Sequence, residues 1–452
     1  MTLNTQIFRA YDIRGIADRD LTDDLALAVG KAFATFIQRR GGTRVSLCRD
    51  CRVSSDRLHA AIVRGILSTG LDVVDIGVGP SPLLYWSVFH LDTDGGLQIT
   101  GSHNPGDQNG FKMMAGKSSL HGADIAELLR IIQHEEYATG DGTLTNATLG
   151  EAYVADVVSR LSFGPRLIRV AIDGGNGTGG PVAMAVMDAL GAKVQAQGLF
   201  IPMDGRFPNH HPDPTVEENL VDLRAAVLEG RCDVGIAYDG DGDRIGVLDD
   251  QGEVLWGDRL MVLLSRQVLA VRPGATIVGE VKCSKTLFSD IAAHGGRPVM
   301  SAVGHSIIKD RMKAEGAALA GEMSGHIFYE DRWYGFDDAV YVTARLLEIL
   351  SHDPRPLSQI LADVPKTFVT PEIRLDCDDN TKFAVVAQAV AHYQKAHDVV
   401  TIDGARIEFG DGWGLIRASN TQPVIVLRAE AESETALARI RGELEAFVAG
   451  HG

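Results

Sequence analysis

No apolar run in the 452 residues approaches the roughly 18 that a membrane-spanning helix needs, and the opening MTLNTQIFRAYDIRG has no apolar core of signal-peptide length. The chain is therefore expected in the cytoplasm, with no membrane partner. Basic charge is in deficit: 43 Lys and Arg against 60 Asp and Glu leave a formal net charge of −17. Phosphate backbones select basic surfaces, so nucleic acid is not the expected partner, and an anionic small substrate needs a locally basic cleft. Cysteine is scarce and odd in number, at Cys48, Cys51, Cys232, Cys283 and Cys377, which fits reduced thiols and implies no disulfide framework. Cys48 and Cys51 do satisfy C-x-x-C, but no second ligand pair accompanies them, so zinc binding and thiol redox are both disfavoured.

What the chain does have is apolar residue enough for several cores, 45% of the total, and a pattern that occurs three times. A strand-like run leads through a loop into an amphipathic helix closed by glycine and then a second strand-like run; later comes a strand ending in an unusual polar loop. The copies begin at RVSLCRD, IRVAIDGGNGTGG and ATIVGEVKCSKTL, and their late strands run into GSHNPGDQNGFK, DGDGDR and EMSGH. After DVPKTF the order changes to strand, helix, two strand-like runs joined by glycines, and a final helix, with RASNTQP between GWGLI and VIVLRAE. The predicted class is α/β. Three similar α/β domains are expected over 1–148, 149–251 and 252–365, and a smaller C-terminal α+β domain over 366–452. One polar loop per domain, at strand ends where open α/β sheets bind ligands, predicts a cleft assembled between domains.

AYDGDGDRIG places Asp239, Asp241 and Asp243 two residues apart. Carboxylates this close repel one another unless a cation joins them. An EF-hand is excluded, since its sixth position would be Arg244 in place of glycine and its twelfth Asp250 in place of glutamate. The expected arrangement is three side chains pointing the same way from an extended segment, with Gly240 and Gly242 letting the backbone wrap one hard cation such as magnesium. In TGSHNP, Ser102 and His103 are adjacent, and adjacent side chains diverge; with no G-x-S-x-G elbow, acyl transfer is disfavoured. A phosphoryl group on Ser102 would instead complete a magnesium shell with the three aspartates. GGNGTGG fits the dinucleotide fingerprint but lacks the acidic residue that should follow, so it reads as a tight strand-to-helix turn. Glu322, Ser324 and His326 in GEMSGH suit vicinal sugar hydroxyls, and Arg417, Ser419, Asn420 and Thr421 in RASNTQP suit a phosphate.

In chain order, FRAYDIRG, TGSHNP, NGFK, FPNHHPDP, DGDGDR, GHSIIK, GEMSGH and RASNTQP resemble the α-D-phosphohexomutases, most closely their bacterial phosphomannomutase/phosphoglucomutase branch, over nearly the whole chain. The resemblance implies four domains in a heart-shaped arrangement around one active site. It implies a phosphoserine at Ser102, and Mg2+ held by Ser102, Asp239, Asp241 and Asp243. Glu322 and Ser324 match the sugar ligands, and Arg417, Ser419, Asn420 and Thr421 the phosphate site. Tyr11, Arg14, His103, Lys112, Arg244, Lys282, His305 and His326 match cleft positions, with Arg14, His103, Lys112, Arg244 and His305 expected to take part in catalysis. The implied reaction interconverts hexose 1-phosphate and hexose 6-phosphate, of mannose, glucose or both, through a hexose 1,6-bisphosphate that turns end for end and acts as activator. His305 or Lys112 is the expected proton acceptor, a phosphosugar the expected small-molecule partner, and a monomer the expected state. Two rival readings are a phosphosugar phosphatase, which would use the same serine and metal but pass the phosphoryl group to water, and a non-catalytic sensor, which could dispense with Ser102 and the aspartates.

Overall fold

The computed structural model describes residues 3–378, 381–419 and 423–451. Its first three sheets are built on one four-strand unit. In the first sheet, Arg44–Arg49 lies between parallel strands Asp72–Val78 and Gly95–Ile99, and Gln108–Ala115 returns antiparallel beside Gly95–Ile99. In the second, Ile168–Asp173 lies between Val194–Leu199 and Val234–Tyr238, with Ile245–Leu248 returning antiparallel. In the third, Thr276–Glu280 lies between Arg297–Ser301 and Leu319–Gly321, with Ile327–Tyr329 returning antiparallel. A parallel pair cannot be joined by a tight turn, so helices Ser55–Leu67, Gly179–Leu190 and Lys285–Ala293 make the crossovers. Strands covered on both faces read as near-continuous apolar runs, as in VGIAY of Val234–Tyr238, buried along its length.

This repetition positions the site. Loops 100–107, 239–244 and 322–326 each join the third strand of their unit to its antiparallel return, so the serine, aspartate and glutamate–histidine stretches are topological equivalents. One cluster of buried side chains runs from Cys48 and Leu84 through Ile172 and Tyr238 to Leu263, Leu347 and Val364, packing the three units against one another. A shared core makes the loops' relative positions a packing property, costly to change by even a methylene.

The C-terminal sheet is antiparallel, in the order Phe368–Val369, Val424–Ala431, Gly412–Ala418, Ala405–Glu408, Asp398–Val400, with Ile373–Asp376 also paired to Val424–Ala431. Helix Glu434–Ala449 begins where the Ser433 side chain accepts from Ala436 N, a cap whose loss costs about 1 kcal/mol. Its Ala436, Ile440, Leu444 and Phe447 recur at helical spacing and pack on Ile407, Ile416 and Leu427 of the sheet. Arg406 ties this unit to the third: its buried Nη1 donates to Val281 O at 2.6 Å and Cys283 O at 2.8 Å. Among the described residues no helix is long and apolar enough to cross a membrane.

Candidate active site

Ser102 has a φ of 50°, a left-handed conformation that costs a non-glycine residue on the order of 1 kcal/mol. Arg52 holds it there. The fully buried guanidinium donates from Nη1 to Pro105 O (2.6 Å) and Gln108 O (3.0 Å), and from Nη2 to Ser102 O and Asn104 O (2.7 Å each). Four carbonyls of an irregular loop thus find donors on one rigid fork. The Ser102 hydroxyl donates to Asp239 Oδ2 at 2.6 Å and lies 3.1 Å from His103 Nδ1. Adjacent side chains were expected to diverge; the left-handed turn at Ser102 instead folds the His103 ring back onto Oγ. The pair still lacks hydrolase character, because the hydroxyl proton points to a carboxylate. Burial, reinforced by the Arg244 charge, also pulls His103 well below the usual imidazole range. Arg52 escaped the sequence reading because its partners are loop carbonyls some fifty residues away. Arg52→Met is expected to lower kcat about a hundredfold, the scale of a roughly 1 Å misplacement, with KM changed much less. Wild-type kcat in a folded Arg52→Met protein would contradict this role.

The aspartate loop closes directly on the serine loop. A Cβ at Gly240 would lie 2.4 Å from Ser102 O, so only glycine permits the approach. Asp239, Asp241 and Asp243 are fully buried, and one oxygen of each lies within 4.8 Å of the others. They do not project from an extended segment, as alternation suggested. The loop curls so that Asp239 Oδ1 accepts from both Asp243 N and Arg244 N at 3.1 Å, with Gly242 at a φ of 71°. Oδ1 of Asp241 and of Asp243 have no hydrogen-bond partner among the described residues, which is what a hard-cation site with oxygen ligands requires of them.

Lys112, on the return strand Gln108–Ala115, reaches Asp241 Oδ2 at 2.6 Å and Asp243 Oδ2 at 2.5 Å, and Ser81 Oγ donates to Asp241 Oδ2 at 2.6 Å. Burial and the two neighbouring carboxylates push Asp239 well above the usual carboxylate range, whereas the Lys112 ammonium outweighs burial at Asp241 and holds it low. Burial alone would discharge Lys112, but the two aspartates keep its affinity for a proton well above normal. The pairing with Asp241 and Asp243 favours the ammonium form of Lys112 and argues against it as the proton acceptor.

The third loop meets the second through Arg244 and His326, paired in a short antiparallel bridge, with Arg244 Nε donating to His326 Nε2 at 2.8 Å. On the other side of the ring, Nδ1 lies 2.9 Å from Oδ2 of the fully buried Asp337. Asp337 is held just before helix Ala339–His352, whose cap is Asp338 accepting from Tyr341 N at 2.9 Å. His326 therefore has a carboxylate on one nitrogen and presents the other as an acceptor to the active-site arginine. The sequence reading gave His326 to sugar binding and missed Asp337, which in DDAV looks like part of an ordinary helix start. Both ring nitrogens of His305 are buried without a hydrogen-bond partner among the described residues, and burial with the Lys309 charge keeps it neutral. His305 Nδ1 stands 4.0 Å from Asp337 Oδ2, against 2.9 Å for His326 Nδ1.

The remaining candidates surround this cluster. Arg14 Nη1 donates to Asn104 Oδ1 at 3.0 Å, beside the serine. Glu322 accepts from Gly304 N (2.9 Å) and Ser324 Oγ (2.8 Å), and Tyr11 OH donates to Val303 O at 2.9 Å. A Cβ at Gly304 would strike the Tyr11 ring at 2.7 Å, so glycine again permits a contact between units. Lys282 bridges to Glu372 of the C-terminal unit at 3.1 Å, and Arg417 is held by Asp403 at 3.1 Å, whose Oδ2 also accepts from Val303 N. Ser419 is buried at the end of the Arg417 strand, its N–H bonded to Val424 O at 3.0 Å. Asn420 and Thr421 lie outside the described residues. Burial pushes the Cys51 thiol up to about 12 and raises Cys48 as well, so neither is a thiolate near neutrality.

Models described as phosphoglucomutase/phosphomannomutase alpha/beta/alpha domains I, II and III and C-terminal domain match residues 5–139, 151–252, 256–368 and 372–446. A phosphoglucomutase of Neisseria gonorrhoeae is 42% identical over 452 residues, covering 99% of this chain and 97% of that protein. The chain belongs to the phosphoglucomutase/phosphomannomutase family. A phosphomannomutase/phosphoglucomutase of Pseudomonas aeruginosa is 42% identical over 441 residues, 97% of this chain and 95% of that one. A solved structure of a phosphoglucomutase/phosphomannomutase family protein from Burkholderia thailandensis matches with a TM-score of 0.93 at 40% identity, over 100% of this chain and 98% of that one. In phosphoglucomutase/phosphomannomutase terms, domain I carries the Ser102 loop, domain II the aspartate loop and domain III the Glu322–His326 loop.

Proposed function

We propose that the chain is a phosphohexomutase interconverting the 1- and 6-phosphates of mannose and glucose through a phosphoserine at Ser102 and a hexose 1,6-bisphosphate. The observation that carries this reading is the buried Ser102 Oγ, 2.6 Å from Asp239, where the carboxylate cluster meets the Arg244–His326–Asp337 chain. In the first half-reaction the bond from phosphorus to Ser102 Oγ breaks as the sugar's free O6 or O1 bonds to phosphorus. His326 Nε2 takes the hydroxyl proton, and Asp337 stabilises the imidazolium. Arg244, freed from Nε2 by that protonation, is placed to bond the transferring oxygens. Over the half-reaction, the proton lost by the sugar is the one gained by Ser102 Oγ. After the bisphosphate turns, the reverse sequence returns the other phosphoryl group to the serine. Arg417 and Ser419 would hold the distal phosphate in either orientation. Magnesium, held by the three aspartates and the phosphoserine, would offset phosphoryl charge.

Mannose and glucose differ only at C2, and Glu322, Ser324 and Arg417 address features that both share. The test is a coupled assay on mannose 1-phosphate and glucose 1-phosphate, with inorganic phosphate followed in parallel. Values of kcat/KM within about two orders of magnitude are expected, the range of a pocket without a dedicated polar contact to O2. Chelation is expected to abolish turnover and added Mg2+ to restore it. Phosphate release matching substrate loss would favour a phosphatase, a wider gap would mean a C2-specific contact, and full activity after exhaustive metal removal would exclude the metal.

A further inference from the structure

FPNHHPDP, residues 207–214, belongs to an irregular stretch of domain II between strand Val194–Leu199 and helix Val221–Gly230, and this stretch lies against both the serine loop's clamp and the aspartate loop. The Phe207 ring covers the Arg52 guanidinium, whose Cζ is 5.1 Å from the ring centroid, a cation–π contact on the side chain that holds the serine loop. A Cβ at Gly205 would lie 2.2 Å from Cys51 O and 2.6 Å from Arg52 Cα, so the backbone presses directly on the turn that carries Arg52. Farther along, Pro212 Cγ lies 3.5 Å from the place that a Cβ on Gly240 would take, the same place that is 2.4 Å from Ser102 O. One strap braces both halves of the site.

His210 fastens this strap. Its Nδ1 is 2.9 Å from His211 O, and its Nε2 is 3.2 Å and 3.1 Å from the two carboxylate oxygens of Asp173, at the end of strand Ile168–Asp173. A carbonyl oxygen only accepts, so Nδ1 carries a proton. Asp173 is fully buried and its Oδ1 already accepts from Gly175 N at 2.8 Å, as a carboxylate does, so Nε2 carries a proton as well. We propose that His210 is a positioning residue: as an imidazolium it pins residues 200–213 to Asp173 and, through Phe207 and Pro212, keeps Arg52 and the aspartate loop in register with Ser102. Burial alone would discharge the ring, but Asp173, His211 O and the Asp222 charge on helix Val221–Gly230 together raise it above the usual imidazole range. Phe200 packs against it edge-on at 5.4 Å. Because the folded chain binds this proton more tightly than an unfolded one, the stabilisation is complete below about pH 6.5 and is lost as pH rises through the folded value. A neutral ring keeps one N–H, and either His211 O or the buried Asp173 then faces a lone pair.

The effect on turnover rests on the mutase reading; the charged pin does not. In the full chain labelled with 15N-histidine, the His210 ring is expected to titrate above the ordinary value of about 6.5, with both nitrogens protonated below its midpoint, its signals assigned by their loss in His210→Gln. That variant offers Asp173 a donor without a charge. It is expected to lower kcat about tenfold with KM little changed, part of the roughly hundredfold loss that a 1 Å misplacement brings, and to lack the alkaline fall in kcat that shares the His210 midpoint in the unaltered chain. At one fixed pH, its amide hydrogens in 200–213 and 100–107 are expected to exchange faster. Phe207→Leu is expected to leave the His210 midpoint in place while kcat falls and no longer follows it. A His210 ring titrating at or below about 6.5, an alkaline fall retained in His210→Gln, or unchanged exchange in both segments would overturn the proposal. A raised midpoint and faster exchange in a chain without mutase turnover would uphold the pin and refute the mutase reading.

Discussion

Ser102→Ala is expected to lower turnover by roughly four to six orders of magnitude, the scale seen when an attacking nucleophile is deleted from an otherwise intact site. The hydroxyl is the only atom lost, so the four carbonyls bonded to Arg52 keep their donors and the fold is expected to hold. Because residue 102 sits at a φ of 50°, alanine there carries the same backbone strain as serine, and Ser102→Gly relieves it. Equal inactivity of both variants would assign the loss to the missing oxygen and not to the loop. Intact-protein and peptide mass spectrometry should find phosphate on Ser102 in the unaltered chain, and near-normal turnover in Ser102→Ala would remove the account.

His326→Asn is expected to lower kcat by about 10²–10⁴-fold with little change in KM, the range for loss of a positioned acid–base group. His305→Asn should lose much less, because His305 Nδ1 stands 4.0 Å from Asp337 Oδ2 where His326 Nδ1 stands 2.9 Å, and Arg244 bonds His326 instead. Added imidazole should partly restore His326→Gly, a rescue that a merely structural role would not produce. If His326→Asn stays within tenfold of normal kcat, the proton carrier has been misassigned.

The three-fold repeat was legible because each copy spells out strand, crossover helix and strand in its apolar periodicity, and each polar loop interrupts that pattern at a strand end. The return strands were not legible as antiparallel, since IGVL and IFY carry no signal of direction. Asp239, Asp241 and Asp243 stood out because unpaired charge is costly at that density, but their convergence comes from a curled loop, which spacing alone does not specify. The contact between Ser102 and His103 depends on one positive φ, invisible in the letters TGSHNP. Arg52 acts on carbonyls of the serine loop some fifty residues away, and Asp337 acts on His326 across a strand and a turn that no motif links. Buried charge of this kind becomes interpretable only when its partner is seen.

The central claim is that one phosphoryl group moves from Ser102 to sugar while another returns. It is tested most directly by labelling the chain at Ser102 with isotopic phosphate and mixing it with unlabelled glucose 1-phosphate for a single turnover. The label should appear on the 6-position of glucose 6-phosphate, with the serine left carrying unlabelled phosphate from the substrate. Label recovered as inorganic phosphate, or label that stays on the protein while glucose 6-phosphate forms, would contradict the account.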